Sequence, residues 1–437
     1  MKLWLQNETI SDSELLRKIE RFTIGNDNQF DMQLAICDVQ GSLAHARMLA
    51  SVGLLTDEEW KTLEAGLTWI MDEIRRGQFC IEDGVEDIHS QVELTLTRCC
   101  GEVGKKIHSG RSRNDQALLD IKLFLRQQLR NVSLDMEKLF VSLISLSEKH
   151  KKTLLPGYTH LQLAMPSSFG LWFGAYAESL ADDLEMVEAA FRIVNKNPLG
   201  SGAGYGSSFP LNRGMTTELL GFSQMNYNVV YAQMTRGKSE KMTAVALAAV
   251  ASTLGRLAMD VCLYMNQNFG FVSFPRELTT GSSIMPHKQN PDVFELIRAK
   301  CNRIQALPNE LTLLQANLTS GYHRDMQLTK ACLFPAIQEL KDCLEMTGLM
   351  LLHIKIREDI LSDERYKHLF TVEYVNELVL SGMPFRDAYH KVGHVVKQNT
   401  FEYNKELRHT HEGSLGNLCN DKISESFYAV FRRINAG

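Results

Sequence analysis

The sequence predicts an all-α protein built on a bundle of long helices. Apolar residues between positions 118 and 146 repeat in steps of three and four, with no glycine or proline among them. Such a stretch forms an amphipathic helix of roughly 45 Å at about 1.5 Å per residue. Similar ladders cover residues 169–194, 240–265, 292–318 and 327–356. Strand patterns are nearly absent, and each apolar stripe has to be buried on another helix, so the ladders indicate a bundle.

Shorter helical segments lie on both sides of the long ladders. Residues 31–52 and 57–77 precede them, and residues 373–380 and 385–399 follow, separated by a Ser-Gly-Met-Pro break. We therefore predict three domains, at 1–105, 106–356 and 357–437. A stripe as long as the one at 118–146 can exceed what the bundle of one chain covers, so we expect self-association through these helices.

Composition limits the classes of function. The apolar fraction of 44% and the charged fraction of 23% are ordinary for a soluble globular protein. A net charge of −5 without a basic stripe gives no indication of nucleic-acid binding. The uncharged run 242–255 is too short to span a bilayer and indicates a core helix, so we expect no membrane partner.

Cysteine usage and the N-terminus bear on cellular location. The nine cysteines include no CxxC motif and no metal-ligand spacing, which is typical of reduced thiols in a cytoplasmic protein. Residues 1–8 become polar too soon for a signal peptide. We therefore expect a cytoplasmic protein without a metal site.

The loop at 281–291, Gly-Ser-Ser-Ile-Met-Pro-His-Lys-Gln-Asn-Pro, joins two of the long helices and concentrates polar chemistry. Because such residues are common in loops, a plain polar connection is the alternative interpretation. Two prolines restrict the backbone around Lys288 and Asn290, and Asp292 follows as a predicted N-cap. A helix N-terminus beside a fixed cation favours anions, so we predict an anion site here.

A second polar cluster, residues 108–116, precedes the first long helix. Arg111 and Arg113 stand at the positive end of that helix, which is unfavourable unless an anion joins them. Capping by Ser112, Asn114 or Asp115 is the structural alternative. The two arginines favour a carboxylate site.

Three further clusters are less specific. A lone histidine such as His160, in the segment 157–162, is more often structural than catalytic. The glycine-rich run 200–206 lacks the preceding strand and the lysine of a phosphate-binding loop. Gln327 and Lys330 lie one helical turn apart and can face one ligand.

Taken together, these motifs resemble the fumarase/aspartase superfamily. The loop 281–291 is similar to its signature, and the Arg-Ser-Arg-Asn-Asp-Gln segment at 111–116 resembles its argininosuccinate lyase branch, to which delta-crystallins are related. Matches in the same order occur at 38–46, 86–89, 157–162, 197–200, 322–330 and 384–386. The resemblance implies an all-α homotetramer with a central helical bundle and active sites that three subunits share.

The implied reaction is reversible cleavage of argininosuccinate into L-arginine and fumarate, without a cofactor. Its difficult step removes a proton from a carbon beside a carboxylate, so fixed positive charge and hydrogen-bond donors have to stand at that carboxylate. Lys288 and Asn290 suit that role. The resemblance makes Ser282 the base, which loop amides or Lys288 could activate.

His160 is the rival base, or the acid that helps the guanidinium leave. The resemblance pairs it with Glu295, and a carboxylate partner would fix the tautomer of the ring. We assign acid or proton-relay work to Thr159 and His160.

Other matching positions imply contacts with the substrate. Ten side chains are assigned to substrate binding: Ser112, Arg113, Asn114, Asn290, Tyr322, Gln327, Lys330, Arg236, Asp87 and His89. The resemblance places Asp87 and His89 near the arginine moiety and Arg236 on a mobile loop.

Some residues depart from the family pattern. His287 and Gln289 stand where Gln and Lys are usual, and the Pro-His-Lys version is similar to adenylosuccinate lyases. Met-Thr-Arg-Gly at 234–237 replaces Ser-Asp-Arg-Asp, and Leu328 and Thr329 replace an acidic pair. The segment 22–27 lacks the usual serine, so we assign no substrate contact there.

The sequence leaves two alternatives open. One is the same chemistry on another N-substituted aspartate such as adenylosuccinate, against which the pattern at 111–116 argues. The other is an inactive crystallin-like structural protein. The joint presence of Ser282, His160, Lys288 and Glu295 argues against it, because a structural role requires none of them.

Overall fold

The computed structural model describes residues 13–403, 407 and 409–436. The segment 1–8, on which the expectation about a signal peptide rests, lies outside these residues. Helices account for most of the described chain and the strands are short, so the predicted all-α bundle is confirmed.

The N-terminal helices between residues 13 and 105 are short. They are α1 (Ser13–Ile24), α2 (Asp27–Asp31), α3 (Ala35–Ser51), α4 (Asp57–Arg75), α5 (Ile88–Cys100) and α6 (Glu102–Lys105). A capping box starts α4, in which the Thr56 side chain accepts from the Glu59 N–H and Glu59 accepts from the Thr56 N–H. Buried residues of α3, α4 and α5, among them Leu49, Leu63 and Leu96, form a core of their own.

Long helices dominate the middle of the chain. The helices there are α7 (Arg113–Lys149), α8 (Phe169–Val194), α9 (Arg213–Leu219), α10 (Val229–Met234), α11 (Lys238–Met265), α12 (Asp292–Leu314) and α13 (Thr329–Leu352). The five long ladders of the sequence thus correspond to α7, α8, α11, α12 and α13. With 37 residues, α7 is about 55 Å long at about 1.5 Å per residue.

Helix α11 lies in the interior of the bundle. Its small side chains, such as Ala244, Ala251 and Ala258, are buried and let α8 and α12 pack closely against it. By length and composition alone α11 could cross a membrane, but 56% of its most apolar window is buried inside the protein. It therefore packs as the core helix that its alanine-rich run indicates.

A β-hairpin stands between α7 and α8, where no strand was predicted. Strand β1 (Leu154–Thr159) pairs antiparallel with β2 (Gln162–Ser168), and the turn holds His160 and Leu161 at φ of 53° and 57°. Two-residue hairpin turns need positive φ and usually carry Asn or Gly there, so His-Leu gave no turn signal. Shorter pairs join β3 (Lys196–Asn197) to β4 (Gln224–Met225) and β5 (Val272–Ser273) to β6 (Lys355–Ile356).

The C-terminal helices are α14 (Thr371–Leu380), α15 (Phe385–Lys397) and α16 (Asn420–Asn435). Val375 of α14 and Val392 of α15 belong to a small separate core. Helix α16 instead returns to α7 and α8, and Phe427 stacks on Phe140 with ring centres 4.0 Å apart. The three-domain division at 105 and 356 remains a prediction. It did not anticipate that α16, from the predicted C-terminal domain, packs on α7 and α8 of the bundle.

The close approach of α8 to the end of α7 can be tested at Gly170. A Cβ atom there would lie 2.6 Å from Lys151 Cα and 2.8 Å from the Ser147 carbonyl oxygen. We expect Gly170→Ala to lower the free energy of unfolding by about 1–3 kcal/mol, measured by urea denaturation at fixed protein concentration. The control Gly393→Ala adds its methyl group to open space and should not lower it. Equal stability of the two variants would contradict this packing.

Candidate active site

A cavity of about 210 Å³ lies where the N-terminal helices meet the starts of α7 and α13. Its charged and polar lining comes from distant parts of the chain: Asp27, Asp31, Glu86, Asp87, His89, Arg113, Asn114, Arg236, Tyr322, Arg324, Gln327 and Lys330. Of the ten side chains assigned to substrate binding, all except Ser112 and Asn290 are in this lining. The structure therefore brings most of that set together within one chain.

The first turn of α7 sets the position of Arg113 and Asn114. Ser112 is the N-cap, as one of the alternatives predicted, and its hydroxyl accepts the Asn114 N–H at 3.2 Å. Arg113 donates to Ser90 Oγ at 2.8 Å and lies 3.3 Å from an Asp87 carboxylate oxygen. A carboxylate oxygen of Glu86 lies 3.4 Å from the same guanidinium. Carboxylates of the protein itself thus offset the positive charge at this helix end.

Lys330 is held by acids from the N-terminal segment. Its Nζ donates to Asp27 Oδ2 at 2.7 Å and also to Asp31, and both Lys330 and Asp31 are buried. Burial raises the pKa of Asp27 above its ordinary value, and the charge of Lys330 acts in the opposite direction. Gln327 donates to the Thr23 carbonyl at 2.9 Å. Segment 22–27, to which we assigned no substrate contact, therefore closes one side of the cavity.

Arg236 is fixed on another side of the cavity. It donates to Glu240 at 2.8 Å and to the Met326 carbonyl at 2.8 Å, in a buried setting. Gly237, one of the departures from the family pattern, has φ of 80°, and a Cβ atom there would lie 2.7 Å from Gln315 and Met326 side-chain atoms. Glycine is therefore required at this position by both conformation and space.

His89 stands in the wall of the cavity with acids behind it. Its Nδ1 is 3.2 Å from Asp38 Oδ2 and 3.3 Å from Asp120 Oδ2, and both carboxylates are fully buried. Burial alone would lower the pKa of His89, but the hydrogen bond and charge of Asp38, with the charges of Asp120 and Asp87, raise it to about 9. Asp38, His89 and Asp120 also have the residue types and spacing that can hold a metal ion.

The glycine-rich run 200–206 does not offer a free phosphate cradle. The N–H groups of Gly200 and Gly202 donate to Asp115 Oδ2 at 2.9 and 2.8 Å. Asp115 Oδ1 in turn accepts the Ser112 N–H at 2.8 Å. The donors that could bind a phosphate are thus occupied by a carboxylate of α7.

The hairpin tip between α7 and α8 carries Thr159 and His160. Both residues are exposed, and Leu161 beside them is 77% exposed. Within the described residues, the His160 ring has no hydrogen-bond partner. The tip therefore projects from the chain at the end of α7 opposite Arg113.

The loop 281–291 forms a third separate surface. Ser282 Oγ accepts the N–H groups of Ile284 at 3.3 Å and Met285 at 3.1 Å. The Asn290 N–H donates to the Thr280 carbonyl at 2.8 Å and closes the base of the loop. Lys288 is exposed at its outer edge.

Asp292 is not the N-cap that the sequence predicted. Pro291 occupies that position, and Asp292 is the first helical residue, whose carboxylate accepts a hydrogen bond from Thr280. Proline has no side-chain oxygen that could accept a helix N–H, so α12 begins without a side-chain cap. The Asp292 carboxylate holds the base of the loop through Thr280 instead. Glu295 lies exposed one turn further along α12.

The predicted residues therefore occupy three places in one chain. Among the residues that the structure describes, the cavity lining contains none of the predicted catalytic side chains: Ser282, Lys288, Glu295, Thr159 and His160. Sequence reasoning missed the acids Asp27, Asp31 and Glu86 and also Arg324, which pairs with Glu86 at 3.2 Å. Glu86 and Arg324 lie inside the matched segments 86–89 and 322–330. Asp27 and Asp31 gave no signal, because the cation that they contact is distant in the sequence.

Comparison with known proteins identifies the class. A family model described as a lyase matches residues 19–306. An EDDS lyase solved in complex with formate superposes with a TM-score of 0.74 at 23% identity, covering 95% of this chain and 90% of that one. A class II fumarase from Schistosoma mansoni gives a TM-score of 0.72 at 16% identity, covering 95% of each chain. At these identities the two structures establish the fold alone.

The chain therefore belongs to this lyase family, and it is a carbon–nitrogen lyase. The argininosuccinate lyase of Bacteroides thetaiotaomicron is 60% identical over 434 residues, which cover 99% of this chain and 96% of that protein. Within the family, the chain belongs with the argininosuccinate lyases.

The Lys330 cluster gives a test of the cavity. We expect Asp31→Asn to lower the free energy of unfolding by about 1–3 kcal/mol, because a buried ammonium loses one of its carboxylates. Urea denaturation at fixed protein concentration measures this change. Asp83→Asn makes the same substitution at an exposed position and should have no measurable effect. If the two variants unfold at the same urea concentration, the ion pairs of Lys330 do not hold the cavity together.

Proposed function

We propose that the chain catalyses the reversible β-elimination of argininosuccinate, which yields L-arginine and fumarate in L-arginine biosynthesis. The observation that carries this proposal is the mixed charge of the cavity. Cations and acids line it together: Arg113, Arg236 and Lys330 with Asp27, Asp31 and Asp87. Argininosuccinate combines carboxylates with an α-amino group and a guanidinium, so a cavity with both signs of charge suits it. The extensive identity to a known argininosuccinate lyase supports the same substrate.

The proposed chemistry is a proton transfer followed by loss of the guanidinium, and no cofactor takes part. The Ser282 hydroxyl first loses its own proton to solvent, and the resulting alkoxide takes the proton beside the succinyl carboxylate. The electron pair of that C–H bond forms the double bond of fumarate as the C–N bond breaks. The amide N–H groups of Ile284 and Met285 point at Ser282 Oγ and favour negative charge on it. Lys288 and Asn290 bind the carboxylate whose charge increases in the transition state.

The leaving nitrogen needs a proton. We assign its delivery to His160 and Thr159, with Glu295 orienting the histidine ring. His160 remains the rival base, and both roles need an imidazole that can reach the substrate. Its exposed position on the hairpin tip supports a role in contact with another subunit.

The proposed assembly is a homotetramer in which three chains contribute to each site. Helix α7 separates Arg113 from the hairpin tip by about 55 Å at about 1.5 Å per residue, so one chain cannot bring His160 to its own cavity. Exposed leucines on α12 and α13, such as Leu296, Leu313 and Leu352, support association through the bundle. We propose a cytoplasmic location, in keeping with the free thiols of all nine cysteines.

Fumarate absorbance gives the direct assay. The purified protein should release fumarate from argininosuccinate, and Ser282→Ala should lower kcat by about 10²–10⁴-fold with a much smaller change in KM. Ser283→Ala is the matched control and should retain most activity. Turnover of adenylosuccinate in place of argininosuccinate would overturn the substrate assignment. Full activity of Ser282→Ala would mean that His160 or another group is the base.

Shared sites can be tested by mixing two impaired chains. Ser282→Ala leaves the cavity intact, and Arg113→Ala leaves the loop intact. When the two variants are unfolded and refolded together, activity should exceed that of either variant refolded alone. Some sites of the mixed oligomers then combine an unaltered cavity from one chain with an unaltered loop from another. Sedimentation of a stable and active monomer, or no recovery in the mixture, would contradict the shared-site assembly.

A further inference from the structure

At one side of the cavity, a single carboxylate joins two guanidinium groups from different walls. Glu86, in the turn before α5, lies between Arg113 at the start of α7 and Arg324 in a short 3-10 helix, and all three line the cavity. We propose that Glu86 occupies the place of a substrate carboxylate, which displaces it and binds Arg113 and Arg324 together. Arg324 is then a further substrate-binding residue. This inference rests on the proposed function and adds an exchange of carboxylates to it.

The two arginines converge on Glu86 from different directions, and each contacts one of its oxygens. Arg113 Nη1 donates to Glu86 Oε2 at 3.4 Å, and Arg324 Nη1 donates to Glu86 Oε1 at 3.2 Å. Guanidinium groups form strong charge-assisted hydrogen bonds with carboxylates, whether these belong to the protein or to a ligand. The position of the Glu86 carboxylate is therefore one that a carboxylate of the substrate can take.

Both arginines keep other contacts when Glu86 leaves. Arg113 Nη2 donates to Ser90 Oγ at 2.8 Å, and Arg324 Nη2 donates to the Thr23 carbonyl at 3.3 Å. These contacts use nitrogens that do not bond to Glu86. The exchange therefore offers one donor of each guanidinium to the ligand, while the two groups stay in position.

Other cations of the cavity are held more firmly. Lys330 and Arg236 lie 2.7 and 2.8 Å from a carboxylate oxygen, and their side chains are only 8% and 6% exposed. The Arg324 side chain is 52% exposed, and its contact with Glu86 is longer. Ion pairs that water reaches contribute little net stability. The contacts of Glu86 are therefore those that a ligand can replace at the lowest cost in free energy.

A displaced Glu86 side chain can turn to water. It belongs to the acidic turn 82–87, in which Glu82, Asp83 and Gly84 are exposed. Hydration of the released carboxylate offsets the loss of its two arginines, and the ligand carboxylate takes over the two guanidinium groups. No charge is left buried and unpaired at any stage of the exchange.

Removing the competing charge tests the proposal. Glu86→Gln keeps the shape of the side chain, and we expect it to lower the Kd of argininosuccinate about three- to tenfold, because the ligand no longer displaces a carboxylate. Isothermal titration calorimetry measures this Kd, with Ser282→Ala in every protein of the series to prevent turnover. The control Glu82→Gln removes an acid of the same turn that pairs with Arg98 outside the cavity lining, and it should leave the Kd unchanged.

Arg324 gives the opposite result in the same assay. Arg324→Gln should raise the Kd about 10–100-fold, because a charged hydrogen bond to the ligand is lost, and Arg324→Lys should recover part of the affinity. The side chain is half exposed, so this variant does not depend on the folding of an altered core. In a chain that also carries Glu86→Gln, Arg324→Gln should still weaken binding, since Arg324 contacts the ligand itself.

Three results would overturn the exchange. Weaker binding by Glu86→Gln would mean that Glu86 supports the bound ligand, and unchanged binding would mean that it stays between the arginines. Loss of the Arg324→Gln effect in the Glu86→Gln chain would mean that Arg324 acts only by holding Glu86.

Turnover by the wild-type protein separates this inference from the proposed function. Release of fumarate from argininosuccinate without the expected changes in Kd would contradict the exchange alone. The expected changes in Kd without release of fumarate would contradict the proposed lyase reaction and support the exchange.

Discussion

The start of α7 is the constraint on which the site depends. One buried carboxylate, Asp115, accepts the Ser112 N–H with one oxygen and the Gly200 and Gly202 N–H groups with the other. It therefore ties the first turn of the longest helix to a loop that follows α8. Burial raises the pKa of Asp115 to about 6, while these three N–H groups favour its charged form. Arg113 and Asn114 occupy this turn, so the same anchor sets the position of the cavity wall.

Charge compensation is the second principle of the cavity. Lys330, Arg113 and Arg236 each have a carboxylate of the chain within hydrogen-bonding or ion-pair distance. Buried cations without partners would be costly, so these pairs keep the cavity stable when no substrate is bound. A substrate with its own carboxylates and cationic groups can exchange for such partners without leaving a charge unpaired. Selectivity then depends on the spacing of charges along the ligand more than on its net charge.

Much of this architecture could be predicted from periodicity, and the exceptions have physical reasons. The apolar ladders identified α7, α8, α11, α12 and α13, because long helices repeat one local pattern many times. The hairpin was missed, since the non-glycine pair at its turn adopts positive φ through tertiary context. Ser112 and Asp292 were both plausible caps, but only Ser112 caps, because a nearby hydroxyl, that of Thr280, uses the Asp292 carboxylate.

Residues of the site were likewise predictable where a local motif marks them and unpredictable where only a distant contact does. Cations such as Lys330 stand in recognisable motifs, whereas Asp27 and Asp31 contact it across about 300 positions of sequence, at separations of 303 and 299. No local pattern predicts such a pairing. The length of α7 determines where the catalytic groups can meet. A rigid helix of about 55 Å holds the hairpin tip and the cavity of one chain apart. Antiparallel packing of such helices from two chains would bring the tip of one level with the cavity of the other. The length of α7 therefore supports the proposed site between chains, in which the loop at 281–291 comes from a third.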